Sequence, residues 1–297
     1  MKTISINNIS KSYGAKDPVI ALTDINLQIE DGELFGLIGP DGAGKTSLFR
    51  ILTTLLLADK GSATVSGLDV VGEFRKIRNS IGYMPGRFSL YQDLTVEENL
   101  KFFADVFGTT IETNYDLIKD IYVQIEPFKK RRAGQLSGGM KQKLALCCSL
   151  IHKPEVLFLD EPTTGVDPVS RKEFWGMLKQ LKQQGITIMV STPYMDEAAM
   201  CDRIALIQSG KILSVNTPQQ IIDSYPYELY SAKAGNNYHL LKKLKDQDNI
   251  RSVYISGEYL HMVFKDKDMR IDYPDVEVKR TTPDIEDCFI QLMNIVY

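Results

Sequence analysis

The sequence predicts an α/β fold in two parts. Residues 1–220 form a larger part with a mostly parallel core sheet, an antiparallel N-terminal subdomain and a helical insertion over about 90–140, and residues 221–297 form a small accessory α/β part. Three observations predict it. A short, continuously apolar strand, Leu34 to Ile38, runs through a glycine-rich turn into an apolar helix over 45–57. A second apolar strand ends in two acids, Asp160 and Glu161. Around both, apolar segments of strand length alternate with helical ones, an order that calls for parallel strands with helices on both faces.

The remaining elements follow in chain order. Thr3 to Ile9 alternates like a strand, and Leu22 to Ile29 repeats that period after a loop containing Gly and Pro, so the two read as antiparallel partners. From about Leu90 to Gln135 the period is helical. Thr95 is placed to cap a helix whose first turn carries Glu97 and Glu98, with Leu100, Phe103, Val106 and Phe107 as its apolar face. Helices over 141–151 and 170–183, strands over 155–159 and 186–190 and a short helix over 195–201 continue the alternation. A hairpin over 204–212, turning at Ser209-Gly210, closes the sheet, and Thr217-Pro218 opens another helix. The tail reads as a helix over 238–245, strands over 252–255 and 260–264 about a turn at Gly257, and a last helix over 283–293 capped by Thr282 with Glu286 near its first turn.

Composition narrows the function. A chain of 297 residues has room for one large core and one satellite. With 35 Lys plus Arg against 38 Asp plus Glu, the formal charge is -3, and no nucleic-acid partner is expected. No apolar stretch reaches the roughly 18–20 residues that cross a bilayer, so the expectation is a cytoplasmic chain. Cys147, Cys148, Cys201 and Cys288 show no ligand spacing and are expected as buried free thiols.

Gly39-Pro40-Asp41-Gly42-Ala43-Gly44-Lys45-Thr46 fits the phosphate-loop pattern completely and sits between a strand and a helix, as the motif requires. Its glycines let successive N–H groups turn toward phosphate oxygens, the helix start adds positive potential, Lys45 reaches the terminal phosphates and Thr46 offers a hydroxyl to Mg2+. The nucleotide set is Gly39, Asp41, Gly42, Ala43, Gly44, Lys45, Thr46 and Ser47; Asp41 has no electrostatic justification there and is expected to point outward. Asp160 is placed to hold Mg2+ through its water shell, and Glu161 to orient or deprotonate the water that attacks the γ-phosphate of ATP. Leu136-Ser137-Gly138-Gly139-Met140 precedes an apolar helix and, taken alone, reads equally as a serine cap with a glycine turn.

These motifs in this order, over about residues 3–215, resemble the nucleotide-binding subunits of ABC transporters, and Ser137-Gly138-Gly139 looks like their signature motif. The resemblance implies a head-to-tail dimer with a second, identical or homologous nucleotide-binding subunit, in which Ser137, Gly138 and Gly139 meet the γ-phosphate held by the partner. It also implies adenine stacking on Tyr13, a dimer-tightening role for Asp167, and a separate membrane permease that places the chain on the inner face of the membrane. Tyr194 to Ala198 and Thr282 to Phe289 resemble the multidrug and polysaccharide (ABC-2) export branch. Two positions depart from the family: Gly86 stands where glutamine is usual, and Pro193 where histidine is usual. Neither offers a side-chain donor or acceptor. The implied function is an ATP-binding subunit energising an exporter, with slowed hydrolysis unless Arg87, Thr192 or Tyr194 substitutes. The alternatives are a binding-only regulatory subunit of a heterodimer and a soluble non-transport ATPase of the same family.

Overall fold

The computed structural model describes residues 2–14, 16–87, 89–265 and 276–296, and divides the chain into two compact units, one up to Pro218 and one from Gln219. In the first, β1 (Lys2–Tyr13) and β2 (Val19–Glu30) pair antiparallel as expected, and β4 (Lys60–Val65) and β5 (Leu68–Asp69) extend them to a four-stranded sheet ordered β2-β1-β4-β5. Ile4, Ile6, Leu27 and Ile29 alternate inward from this sheet and are at most 4% exposed, which is the period-2 burial of a one-sided sheet.

The second sheet holds β3 (Leu34–Ile38), β6 (Ile81–Met84), β7 (Val156–Asp160), β8 (Thr187–Thr192), β9 (Arg203–Gln208) and β10 (Lys211–Asn216) in the order β10-β9-β3-β8-β7-β6. All pairs are parallel except the β9–β10 hairpin, so the core is the mostly parallel sheet the sequence implied. Every residue of β3, β7 and β8 is buried, which explains why these strands read as unbroken apolar runs.

Three helix boundaries differ from expectation. The helix after the phosphate loop, α1, covers only Lys45–Leu52, because Thr53 and a left-handed Thr54 (φ 64°) end it before the Leu55–Leu57 segment. Helix α5 (Gly138–Leu150) starts three residues earlier than expected, at the glycines themselves, since the Ser137 hydroxyl accepts the Met140 N–H and so caps it. Helix α6 is Pro168–Gln183, opened by Asp167 as cap and Pro168 as its first residue. Between them α2 (Phe74–Ser80), α3 (Val96–Val106) and α4 (Tyr115–Tyr122) form; α3 has the full Thr95/Glu98 capping box. All four cysteines are buried free thiols, and no helix among the described residues is long and apolar enough to cross a membrane.

The second unit begins with α7 (Pro218–Asp223) at its edge and contains β11 (Leu229–Lys233), α8 (Asn237–Lys245), β12 (Ile250–Ser256), β13 (Tyr259–Phe264), β14 (Glu277–Thr281) and α9 (Ile285–Val296). Its sheet, β12-β13-β11-β14, is wholly antiparallel, and Gly257 turns the β12–β13 hairpin as expected. Leu240 and Leu244 of α8 pack with Ile250, Val253, Leu260 and Met262. Thr282 does not cap the last helix; Asp284 does, its carboxylate accepting the Asp287 N–H (2.9 Å) while Asp287 accepts the Asp284 N–H (2.8 Å). The other Asp287 oxygen accepts from Tyr254 (2.6 Å) and from His261 Nδ1 (2.7 Å), neighbours across β12 and β13. A carboxylate with no exposed surface thus pins α9 to the sheet.

The pin is sensitive to pH in a defined sense. The hydrogen bond to Asp287 raises the His261 pKa, against the effect of burial. Burial pushes the Asp287 carboxyl up, but the bonds from His261, Tyr254 and the Asp284 amide outweigh it and hold it below the usual range. The histidine contribution is present below its ordinary pKa and is lost as pH rises through the raised one; the aspartate contribution is lost as pH falls through the depressed one. Asp287→Ala should cost this unit about 3 kcal/mol, as breaking a buried pair does. Hydrogen exchange at the β12 and β13 amides should show that opening, and the stability gap between parent and His261→Gln should shrink as pH rises past neutrality.

Candidate nucleotide site

The parallel strands end together, and their ends build the site. Ile38 lies opposite Thr192, and Asp160 opposite Ser191. The chain leaving β3 turns at Gly39, whose N–H donates to the Thr192 carbonyl (3.2 Å), and a Cβ there would lie 2.2 Å from the Ile207 carbonyl oxygen, so only glycine fits. Gly44 enters α1 at φ 105°, with room for no side chain against the Ala21 carbonyl at 2.3 Å. Asp41 is exposed, as expected, and faces no cation among the described contacts. Gly42 is exposed and Ala43 buried, which leaves the loop backbone at the surface over a packed base.

Lys45, only 3% exposed, is held by the carbonyls of Gly39 (2.8 Å) and Pro40 (3.0 Å) and pairs with Glu161 at 3.1 Å. The two side chains assigned to the terminal phosphate and to its attacking water are therefore within one ion-pair distance of each other. Thr46 and Ser47 follow on the first turn, and the Ser47 hydroxyl meets the Tyr13 hydroxyl at 3.0 Å. Tyr13 is 40% exposed and stands beside exposed Val19 and Ile20 across the β1–β2 pair, so an aromatic and aliphatic platform adjoins the phosphate loop.

Asp160 is 2% exposed and accepts a hydrogen bond from the Ser191 hydroxyl (2.6 Å). That hydroxyl in turn accepts the Glu161 N–H (3.0 Å), and Glu161 sits at φ 51°, a left-handed conformation unusual for a residue with a side chain. Such strain persists where the surroundings over-determine it. Sequence reading did not single out Ser191, because its partner is 31 residues away and only the register joins them. Among the described residues no cluster of three or more His, Cys, Asp or Glu could hold a metal. One buried carboxylate and the Thr46 hydroxyl suit Mg2+, which takes few protein ligands and arrives with phosphate oxygens.

None of the described contacts joins Ser137 to Gly139 to the phosphate loop. Ser137 and Gly138 are exposed, and a Cβ on Gly138 would meet nothing closer than the Gly165 carbonyl at 3.6 Å, whereas one on Gly139 would press the Ser170 hydroxyl at 2.9 Å. Asp167 is spent on the Ser170 and Val169 amides, and the bonds from Ser170 above all hold its carboxyl below the usual range. At the two departures, Gly86 lies against the end of β7, where a Cβ would sit 3.1 Å from the Asp160 carbonyl oxygen. Thr192 and Tyr194 have other engagements: the Thr192 hydroxyl donates to Glu197 and accepts the Tyr194 N–H, and the Tyr194 ring lies 4.0 Å under the Arg171 guanidinium. Arg87 is exposed.

Comparison with known proteins bears on the family and the fold. The family model described as ABC transporter matches residues 22–164. The chain is 33% identical to the Nod factor export ATP-binding protein I of Rhizobium sp. (strain N33), over 97% of this chain and 96% of that one. It is 39% identical, over 98% of its length, to the "Probable multidrug ABC transporter ATP-binding protein" of Escherichia coli (strain K12), of which it spans 52%, about half. Among solved structures, a dimeric ATP-binding cassette in a post-hydrolysis state with ADP and Pi superposes with a TM-score of 0.65 at 25% identity, covering 72% of this chain and 98% of that one.

Removing the Lys45 ammonium should weaken MgATP binding at least tenfold, about 1.4 kcal/mol, because charge-assisted bonds to phosphate are the strong ones. Calorimetric titration of Lys45→Ala against the parent checks it; equal affinities would refute the assignment of Lys45 to phosphate.

Proposed function

The chain belongs to the ABC transporter ATP-binding family, and from that premise we propose that it is the ATP-binding subunit of an ABC-2-type exporter, closing head to tail on ATP and hydrolysing it slowly. The observation that carries the reading is the meeting of Lys45, Asp160 and Glu161 at the strand ends while Ser137 and Gly138 stand exposed, with no described contact to the phosphate loop. A chain arranged so has two half-sites, which a second copy or homologue completes. The dimeric assembly of the similar cassette supports this.

In the proposed reaction, Lys45 and the loop amides hold the β- and γ-phosphates of ATP, and Tyr13 receives the adenine. Glu161 orients the attacking water and takes its proton as the bond to the γ-phosphorus forms and the bond to the leaving oxygen of ADP breaks. Thr46 and Asp160 would hold Mg2+, which would supply charge neutralisation at the phosphates. The partner's counterparts of Ser137 to Gly139 close the far side of the γ-phosphate with helix-start amides. Hydrolysis is slow in this reading because Gly86 and Pro193 bring no polar side chain to the transition state, and the engagements of Thr192 and Tyr194 support that.

A permease partner is proposed on the family membership and on a largely apolar cleft that includes Met84 at the end of β6. The cleft is lined by exposed Leu55 and by Met84, Leu90, Phe103, Phe107 and Cys148, with Arg78 and His152 among them. Such a surface suits a membrane-protein segment better than water. The exported substrate would be chosen by that permease.

Two measurements test the proposal. Gly138→Asp should abolish ATP-promoted dimerisation in light scattering while leaving monomer ATP affinity within about twofold, since Gly138 serves the partner's site and its own surroundings are open. In single-turnover phosphate release, Pro193→His should accelerate the reaction by about 10²-fold with little change in affinity, as a regained transition-state contact does. Parental turnover already at the restored rate would refute slow hydrolysis.

A further inference from the structure

The segment after β8 carries a second buried carboxylate that the reaction above does not use. Glu197 lies in the short 3-10 turn Met195–Met200, is 3% exposed and has partners on three elements. One oxygen accepts from the Thr192 hydroxyl at the end of β8 (2.5 Å) and from the Thr163 hydroxyl in the loop leaving β7 (3.1 Å). The other accepts from Arg171 Nε on α6 (3.0 Å). A buried carboxylate with one ionic and two hydroxyl partners fixes all three in place, because releasing any of them leaves charge poorly solvated.

Each partner adjoins a working part of the nucleotide site. The Thr192 carbonyl accepts the Gly39 N–H of the phosphate loop. Thr163 lies two residues beyond Glu161, and its carbonyl accepts the Val166 N–H in the turn that leads to Asp167. The Arg171 N–H donates to the Asp167 carbonyl (2.9 Å). Glu161 is thus tethered from both directions: Ser191 holds its own N–H, and Glu197, through Thr163, holds the chain that follows. Its left-handed backbone needs such bracing.

We propose that Glu197 is a positioning residue for ATP hydrolysis, bracing the loop 161–167 so that Glu161 meets the attacking water and the Asp167 turn meets the second subunit. The proposal rests on the ATPase reading above. A misplacement of about 1 Å in a general base costs on the order of 10² in rate while phosphate binding, made by the loop 39–46, is spared. A purely structural ion pair would behave differently, lowering the melting temperature and leaving both rate and affinity alone.

The test uses the full chain with MgATP. Single-turnover phosphate release and calorimetric ATP affinity are compared for the parent, Glu197→Gln, which removes the charge but not the shape, and Thr163→Val, which removes only the tether to the loop. Release should slow by about tenfold or more in the first and by about threefold or more in the second, with ATP Kd within about twofold of the parent in both. Glu161→Gln, run alongside, separates the two readings: release indifferent to Glu161→Gln overturns the hydrolysis assignment, and the decision on Glu197 then passes to the dimer. There, in the Glu161→Gln background, adding Glu197→Gln should raise the ATP concentration for half-maximal dimerisation by about threefold or more. A lowered melting temperature with rate, affinity and dimerisation unchanged overturns the proposal. So does a parallel loss of rate and affinity, because the phosphate loop would then have moved with the acid.

Discussion

The proposed nucleotide site depends on β8 lying between β3 and β7 in one parallel register. That register sets Thr192 beside Ile38 and Ser191 beside Asp160, so a single dipeptide at the end of β8 serves both neighbours. The Thr192 carbonyl holds the first amide of the phosphate loop, and the Ser191 hydroxyl bridges the Asp160 carboxylate and the Glu161 amide. A slip of β8 by one residue would turn these side chains to the opposite face and break both connections at once. The burial of every residue in the three strands is what forbids the slip, since it would exchange the side chains packed on each face.

Charge is arranged around that frame in a way that a folding unit without a task would avoid. Lys45, Asp160 and Glu197 are each at most 3% exposed, and buried ions repay their desolvation only when fully partnered. Lys45 has two carbonyls and Glu161; Asp160 has Ser191; Glu197 has two hydroxyls and Arg171. With Glu161 held in the left-handed region as well, the strand ends store both electrostatic and backbone cost. Hydrophobic burial elsewhere in the two sheets offsets it.

What was legible in the sequence was what is local. The phosphate loop, the Thr95 capping box and the hairpin at Ser209-Gly210 need only neighbours a few residues apart, and all three lie where the sequence places them. The short strands β4, β5, β11 and β14 were not legible: β4 begins with three exposed residues and three of the five residues of β14 are lysine, arginine and threonine, so their strand character comes from pairing rather than from pattern. Asp284 displaced Thr282 as the cap of α9 because Asp287 returns its bond, a reciprocity that spacing alone does not distinguish. Ser191 and Glu197 were given no role for the same reason as each other: the segments that hold them stand out in the sequence, but their partners are fixed by sheet register and loop packing.

Gly86 and Pro193, alike in lacking a polar side chain, are unlike in what surrounds them. Pro193 follows the last residue of β8, where no ladder bond needs its amide, and the turn it enters is closed by the Tyr194 N–H to the Thr192 hydroxyl. A proline there is compatible with the fold and removes only what a side chain would do. Gly86 is exposed, but a Cβ would come to 3.1 Å from the Asp160 carbonyl oxygen, so a larger residue needs the strand end that carries both acids to give by a few tenths of an ångström. A glutamine at 86 would therefore add a polar group and shift the groups it is meant to assist, whereas a histidine at 193 would meet a turn whose own hydrogen bonds are already made. In the proposed slow hydrolysis the two departures are therefore unlike: a side chain at 86 must fit against the end of β7, whereas at 193 only the side chain is lacking.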